Sequence, residues 1–123
     1  MTTRTSLVVG GNRGIGQAVA IGLAGAGWEV HAASVTGAHE VHRVARDRGQ
    51  TVHPSSVDVR ESASVAQLTR SFRVGLDALV ITVGTAVTGR MAEVSPDDVG
   101  RMLHEHIVGA YRVVRALRAP LVE

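Results

Sequence analysis

Short apolar runs and helix-period stretches alternate four times along this chain, and that order leaves few folds open. Residues 6–9 form an apolar run ending at a glycine turn, which reads as a buried strand. Residues 14–26 place Ile15, Val19, Ala20 and Leu23 at helical spacing and close on Gly25 and Gly27. Glu29–Ser34 reads as a second strand, 38–48 as a polar-faced helix stopped by Gly49, and 51–54 as a third, weaker strand. Residues 62–72 predict a third helix with Val65, Leu68 and Phe72 on one side. Residues 78–83 are apolar apart from Thr82, the pattern of a central strand covered on both faces. Ser95, Pro96, Asp97 and Asp98 then supply an N-cap, a first-turn proline and acids, so a long helix is expected from 95 to about 118, before Pro120. No linker or low-complexity segment interrupts the alternation. The expectation is an α/β fold: a parallel sheet of about four strands with helices on both faces, in one domain over residues 1–123.

Composition removes several function classes. The sequence has no cysteine, so disulfides, thiolate metal sites and cysteine nucleophiles are excluded. It has no lysine either; all 13 basic residues are arginines, scattered rather than gathered, with a net charge of +2. One Phe, one Trp and one Tyr provide no stacking platform, and no nucleic-acid partner is expected. No apolar run is long enough to span a bilayer and the first residues lack a signal-peptide pattern, so no membrane partner and a cytoplasmic location are expected.

The turn between the first strand and first helix carries the chemistry. Gly10 permits a tight turn, Gly14 lets backbone approach a pyrophosphate, and Gly16 allows close helix–sheet packing. A helix N-terminus there presents N–H groups and a positive dipole end to phosphates. The end of the second strand, residues 31–36 with Ser34, Val35 and Thr36 last, holds no carboxylate of the kind that binds a ribose diol. Arg13 is placed to meet a 2′-phosphate, with Ser34 or Thr36 as hydrogen-bond donors. NADP(H) is therefore favoured over NAD(H); the plain alternative for Arg13 is a solvated loop charge.

The run Gly10-Gly11-Asn12-Arg13-Gly14-Ile15-Gly16 resembles the Gly-x-x-x-Gly-x-Gly turn of the short-chain dehydrogenase/reductase family. Val57, Asp58 and Val59 resemble the family's Asp-Val step, where the carboxylate meets the adenine amino group. Residues 76–84 resemble its fourth strand and the loop over the cofactor ribose, and residues 95–118 its long interface helix. The resemblance implies a Rossmann-type sheet in strand order 3-2-1-4. It also implies a nicotinamide cofactor held by Gly10, Asn12, Arg13, Gly14, Ile15, Gly16, Ser34, Asp58, Val59, Val83 and Gly84. It spans essentially the whole chain but only the N-terminal half of the family's domain.

Departures from the family pattern bear on catalysis. The family's proton donor is a tyrosine assisted by a lysine four residues later, and no lysine exists here. Tyr111 precedes Arg115 at that spacing, but it lies on the interface-type helix, and arginine is a poor proton relay. Tyr111 is expected to pack an apolar helix face with its hydroxyl at the edge. The Asn-Asn-Ala-Gly after the fourth strand is Ile81-Thr82-Val83-Gly84, which reduces polar contacts near the ribose. His106 aligns with the family's proton-relay asparagine and is placed facing the cleft. There it is a candidate acid or base, or simply fills the space. His104 and His106 are two apart and cannot share a metal, and His39 and His42 lack a third ligand, so no metal site is expected.

The sequence thus predicts an NADP(H)-binding protein of oxidoreductase ancestry, a truncated, pseudoenzyme-like half-domain not competent for ordinary hydride transfer alone. Two alternatives stand beside it: a non-redox cyclase, isomerase or dehydratase reusing the cleft, and a non-catalytic binding or regulatory subunit. The cofactor site is either in use or vestigial. The apolar strand 78–83 becomes an unpaired edge. The helix 95–118 carries Val99, Leu103, Ile107, Ala110, Val114 and Leu117, with Met102 and Val113 widening the arc. Completion by oligomerisation is expected, through a second copy or a complementary chain.

Overall fold

Four parallel strands form one sheet in the order β3-β2-β1-β4, in a computed structural model that describes residues 2–72 and 75–122. The strands are β1 (Thr5–Val9), β2 (Glu29–Ser34), β3 (Val52–Ser56) and β4 (Ala78–Ile81). Between them run α1 (Gly14–Gly25), α2 (His39–Asp47) and α3 (Ser62–Thr69), the last tightened into a 3-10 turn over Arg70–Phe72. β1 is central and fully buried from Ser6 onward, because it pairs on both sides and is covered on both faces.

Alternate residues of β1 divide the core. Leu7 and Val9 face one layer with Val57, Val65, Leu68, Phe72, Val113 and Leu117. Val8 faces the other, with Ala20, Val30, Ala32, Val41, Ala45 and Val52 beneath α1 and α2. The α/β expectation with helices on both faces and the order 3-2-1-4 therefore hold. β3 differs from the expected 51–54: it runs from Val52 to Ser56 through Pro54, which is tolerated because β3 pairs on one side only.

Two other expectations are corrected. β4 ends at Ile81 rather than 83, although the Thr82 amide still donates to the Val9 carbonyl at 2.8 Å. Among the described residues β4 is an edge strand, and its side chains are half-buried rather than enclosed.

The long C-terminal helix is not one regular helix. α4 (Pro96–Leu103) starts at a reciprocal Ser95–Asp98 capping box, then winds wide over His104–Gly109 before α5 (Ala110–Ala116). The extra residue in the wide turn rotates the apolar positions, so the expected single arc splits. Val113 and Leu117 are buried against the sheet, whereas Val99, Leu103, Ile107 and Val114 are exposed. The chain breaks at Leu117 and resumes as α6 (Arg118–Val122), where Pro120 falls in the first turn and removes no helical hydrogen bond.

Candidate functional site

The C-terminal ends of all four strands open into a cleft of about 630 Å³. An open α/β sheet places a ligand site here, because β1 connects to one side and β4 lies on the other. Gly10 adopts φ +89° at the end of β1, and a Cβ there would sit 2.7 Å from Thr82 Oγ1. A Cβ on Gly16 would lie 2.2 Å from the Gly10 carbonyl oxygen, so α1 can pack this close only with glycine. Gly14 adopts φ +56° and, apart from its chain neighbours and its own helix backbone, no atom of the described residues lies within 4 Å of its would-be Cβ, leaving its backbone open to approach. α1 has no side-chain N-cap and no acid in its first turn, so its positive end is not neutralised by the protein.

Asn12 is buried, and its Oδ1 accepts hydrogen bonds from the amides of Glu40 (2.9 Å) and Val41 (3.1 Å). These are the N-cap bonds of α2, supplied from another loop because the N-cap residue Ala38 has no side-chain acceptor. The glycine turn and α2 are thereby one unit. Ser34 Oγ accepts from the Ala38 amide at 3.0 Å and lies 3.2 Å from Thr36 Oγ1, and both residues line the cleft. Arg13 also lines it, with its Nε 3.8 Å from Glu40 Oε2; both side chains are exposed, so this ion pair is too weak to lock the guanidinium.

On the opposite wall, Asp58 is committed to Arg60. The guanidinium donates to both carboxylate oxygens at 3.0 and 2.9 Å, and the Arg60 amide adds a third bond at 3.0 Å. The Arg60 side-chain hydrogen bonds hold the Asp58 carboxyl below its usual range. Spacing alone did not reveal this pair. Val59 is fixed from behind by Arg112, whose guanidinium donates to its carbonyl, and by Gly109, where a Cβ would come within 2.7 Å of Val59 Cγ2.

The fourth wall is the loop after β4. Thr82 turns its hydroxyl toward the carbonyls of Gly10 (3.1 Å) and Val9 (3.3 Å). Val83, Gly84 and Thr85 line the cleft. Glu105 also lines it, buried, and receives the Thr85 amide and hydroxyl at 2.8 and 2.7 Å. Those bonds, the hydroxyl's foremost, lower its pKa. Sequence reading missed Glu105; a carboxylate flanked by two histidines, His104 and His106, was the available signal.

His106 stands beside this carboxylate but is exposed. Its Nε2 lies 2.9 Å from the Thr85 carbonyl, and its ring covers Gly84, where a Cβ would collide at 2.2 Å. It packs against the loop rather than lining the cleft. Ile15 likewise points outward, 77% exposed, so only its backbone is at hand. Tyr111 is 66% exposed beside Arg112 and Arg115 in a shallow groove against α3, which corrects its expected packing. Of the predicted site residues, the structure gathers Gly10, Asn12, Arg13, Ser34, Asp58, Val59, Val83 and Gly84 at the cleft; Gly14 and Gly16 lie in the first turn of α1, next to Arg13 in the chain, and do not line it.

A family model described as short chain dehydrogenase matches residues 4–123. The chain is 28% identical over 126 residues to a 3-oxoacyl-(acyl-carrier-protein) reductase of Aggregatibacter actinomycetemcomitans, covering 98% of this chain and 52% of that protein. Among solved structures, a 3-oxoacyl-(acyl-carrier-protein) reductase from Agrobacterium tumefaciens with NADP bound superposes with a TM-score of 0.83. It is 27% identical and is covered to 48% by 97% of this chain. A short-chain dehydrogenase/reductase variant from Serratia marcescens gives the same TM-score at 27% identity, with 96% and 51% covered. The chain spans about half the length of the curated relative it matches.

Proposed function

The chain belongs to the short chain dehydrogenase family, and from that premise we propose that its cleft binds NADP(H) as the nucleotide-binding part of an oxidoreductase. The observation that carries this reading is the uncapped N-terminus of α1 beneath the open backbone of Gly14. Its amides would hold the pyrophosphate, Arg13 with Ser34 and Thr36 the 2′-phosphate, and the Asp58–Val59 step the adenine side. The nicotinamide supplies a hydride donor or acceptor when bound. The residues Val83, Gly84 and Thr85 would lie along the ribose, held in place by Glu105.

In this reading these 123 residues do not complete hydride transfer by themselves. No lysine is present in the sequence, and Tyr111 lies exposed on α5, away from the residues that line the cleft. A proton donor from a second polypeptide or from further residues would complete the site. The exposed face formed by Leu103, Ile107, Val108 and Tyr111, together with the edge of β4, is the surface proposed to meet a second copy or a complementary chain.

Titration of the chain with NADPH and NADH, read by nicotinamide fluorescence and calorimetry, tests this reading. Tighter binding of NADPH supports it, and absence of binding by either nucleotide overturns it. A non-catalytic binding subunit shares the binding result and differs only in showing no turnover when the complementing partner is supplied.

A further inference from the structure

At the other end of the sheet, Glu29, His31 and His53 converge on one face. Glu29 and His31 are two apart on β2, so both side chains leave the same side of the strand. His53 on β3 is the in-register partner of His31. The two imidazole centroids are 4.8 Å apart. Glu29 Oε1 lies 3.4 Å from His31 Nε2 and 3.9 Å from His53 Nε2, and the three ligand atoms all fall within 4.8 Å of one another. Phe72 meets the His31 ring edge-on at 4.9 Å and forms an apolar wall on one side. His53 and Glu29 are exposed, so an ion has a path in.

We propose that Glu29, His31 and His53 form a divalent-metal site of zinc(II) chemistry that joins edge strand β3 to β2, with water completing the coordination. Two imidazoles and one carboxylate are a donor set zinc accepts, and three protein ligands leave one tetrahedral position open. Ligands 2.0–2.1 Å from a tetrahedral ion stand about 3.3 Å apart. The Glu29–His31 separation already matches, and the two contacts to His53 need closure that rotation of an exposed side chain supplies. The cluster is three residues along β2 from Ser34, roughly 10 Å from the cleft at the strand rise. The site is therefore independent of nucleotide binding. The strongest geometric constraint is the sheet itself: the His31–His53 pairing is set by hydrogen-bonded register, so the two backbone positions are fixed before the ion arrives.

Zinc(II) titrated into the chain under calorimetry, with cobalt(II) absorption as a second probe, tests the site. One equivalent is expected to bind, with visible cobalt d–d bands and a rise in melting midpoint of roughly 5–10 °C at a hundredfold excess over Kd. Glu29→Gln and His53→Gln, both at exposed positions, are each expected to weaken binding at least about tenfold while folding normally, since even outer-shell losses cost that much. His39→Gln and His42→Gln leave binding unchanged. Absence of stoichiometric zinc binding by the unmodified chain, or undiminished affinity in either Glu29→Gln or His53→Gln, overturns the proposal.

Discussion

Glu105 accepts both the amide and the hydroxyl proton of Thr85, at 2.8 and 2.7 Å. This clamp fastens the loop after β4 to the wide turn between α4 and α5, two segments twenty residues apart. Replacement by glutamine keeps the shape and one acceptor oxygen but removes the charge on Oε2, which receives both hydrogen bonds. Glu105→Gln is expected to cost about 1–2 kcal/mol of stability at neutral pH. The folded-state pKa of Glu105 is depressed, so its contribution is present above the usual value of 4.5 and is lost as pH falls through the folded value. Urea midpoints of the two proteins should differ at pH 7 and converge below pH 4.5. Parallel midpoints across that range would show that the clamp does not depend on charge.

Asn12 caps α2 from the glycine turn, so Asn12→Ala removes a buried acceptor from two amides at once. A loss of about 1–2 kcal/mol is expected. NADPH affinity should fall with it, because the turn loses its anchor. Asn12→Asp, which restores the acceptor, should recover most of the stability in thermal melts.

Two glycines separate folding from binding. At Gly16 a Cβ has no space, and Gly16→Ala is expected to lose about 3 kcal/mol or more. At Gly14 the space is open and only the positive φ is penalised, so Gly14→Ala costs about 1–2 kcal/mol and folds. Its new methyl group would occupy the approach to the α1 N-terminus. Calorimetry should find Gly14→Ala folded but with NADPH binding weakened at least tenfold, about 1.4 kcal/mol.

Arg13 is the discriminating cation in the proposed site. Arg13→Ala is expected to weaken NADPH binding by about 10- to 100-fold, the range of a charge-assisted hydrogen bond, while NADH binding changes little. An equal loss for both nucleotides would assign Arg13 to the pyrophosphate instead.

Ile107 is 62% exposed on the outward face of the wide turn. Ile107→Asp should leave the melting curve of an isolated chain within about 0.5 kcal/mol of the unmodified protein. It should shift an associated form toward the monomer in analytical ultracentrifugation. An unchanged sedimentation profile from an oligomeric parent would move the interface to β4.

Much of the fold was legible because its causes are local. The apolar run at β1, the capping box at Ser95 and the helical spacing of Val65 and Leu68 each act within a few residues. The same holds for the positive-φ turn at Gly10. The break in the last helix was not legible, because residues 104–109 contain nothing that forbids regular winding; the wide turn coincides with Glu105 meeting Thr85 and Gly109 meeting Val59. The end of that helix before Pro120 was legible, since α5 stops at Ala116; the new short helix in whose first turn Pro120 falls was not.

The amino-acid sequence alone determined the alternating parallel architecture and the place of the glycine turn within it, since periodicity and backbone permissiveness are properties of neighbouring residues. The tertiary structure alone decided which side chains meet: Asp58 with Arg60 in a bidentate pair, Asn12 with the amides of α2, Glu105 with Thr85, and His31 beside His53. The last three pairs are separated by twenty or more residues and joined by strand register and helix docking. Register is set by hydrogen bonding across the whole sheet, and no spacing within the chain records it.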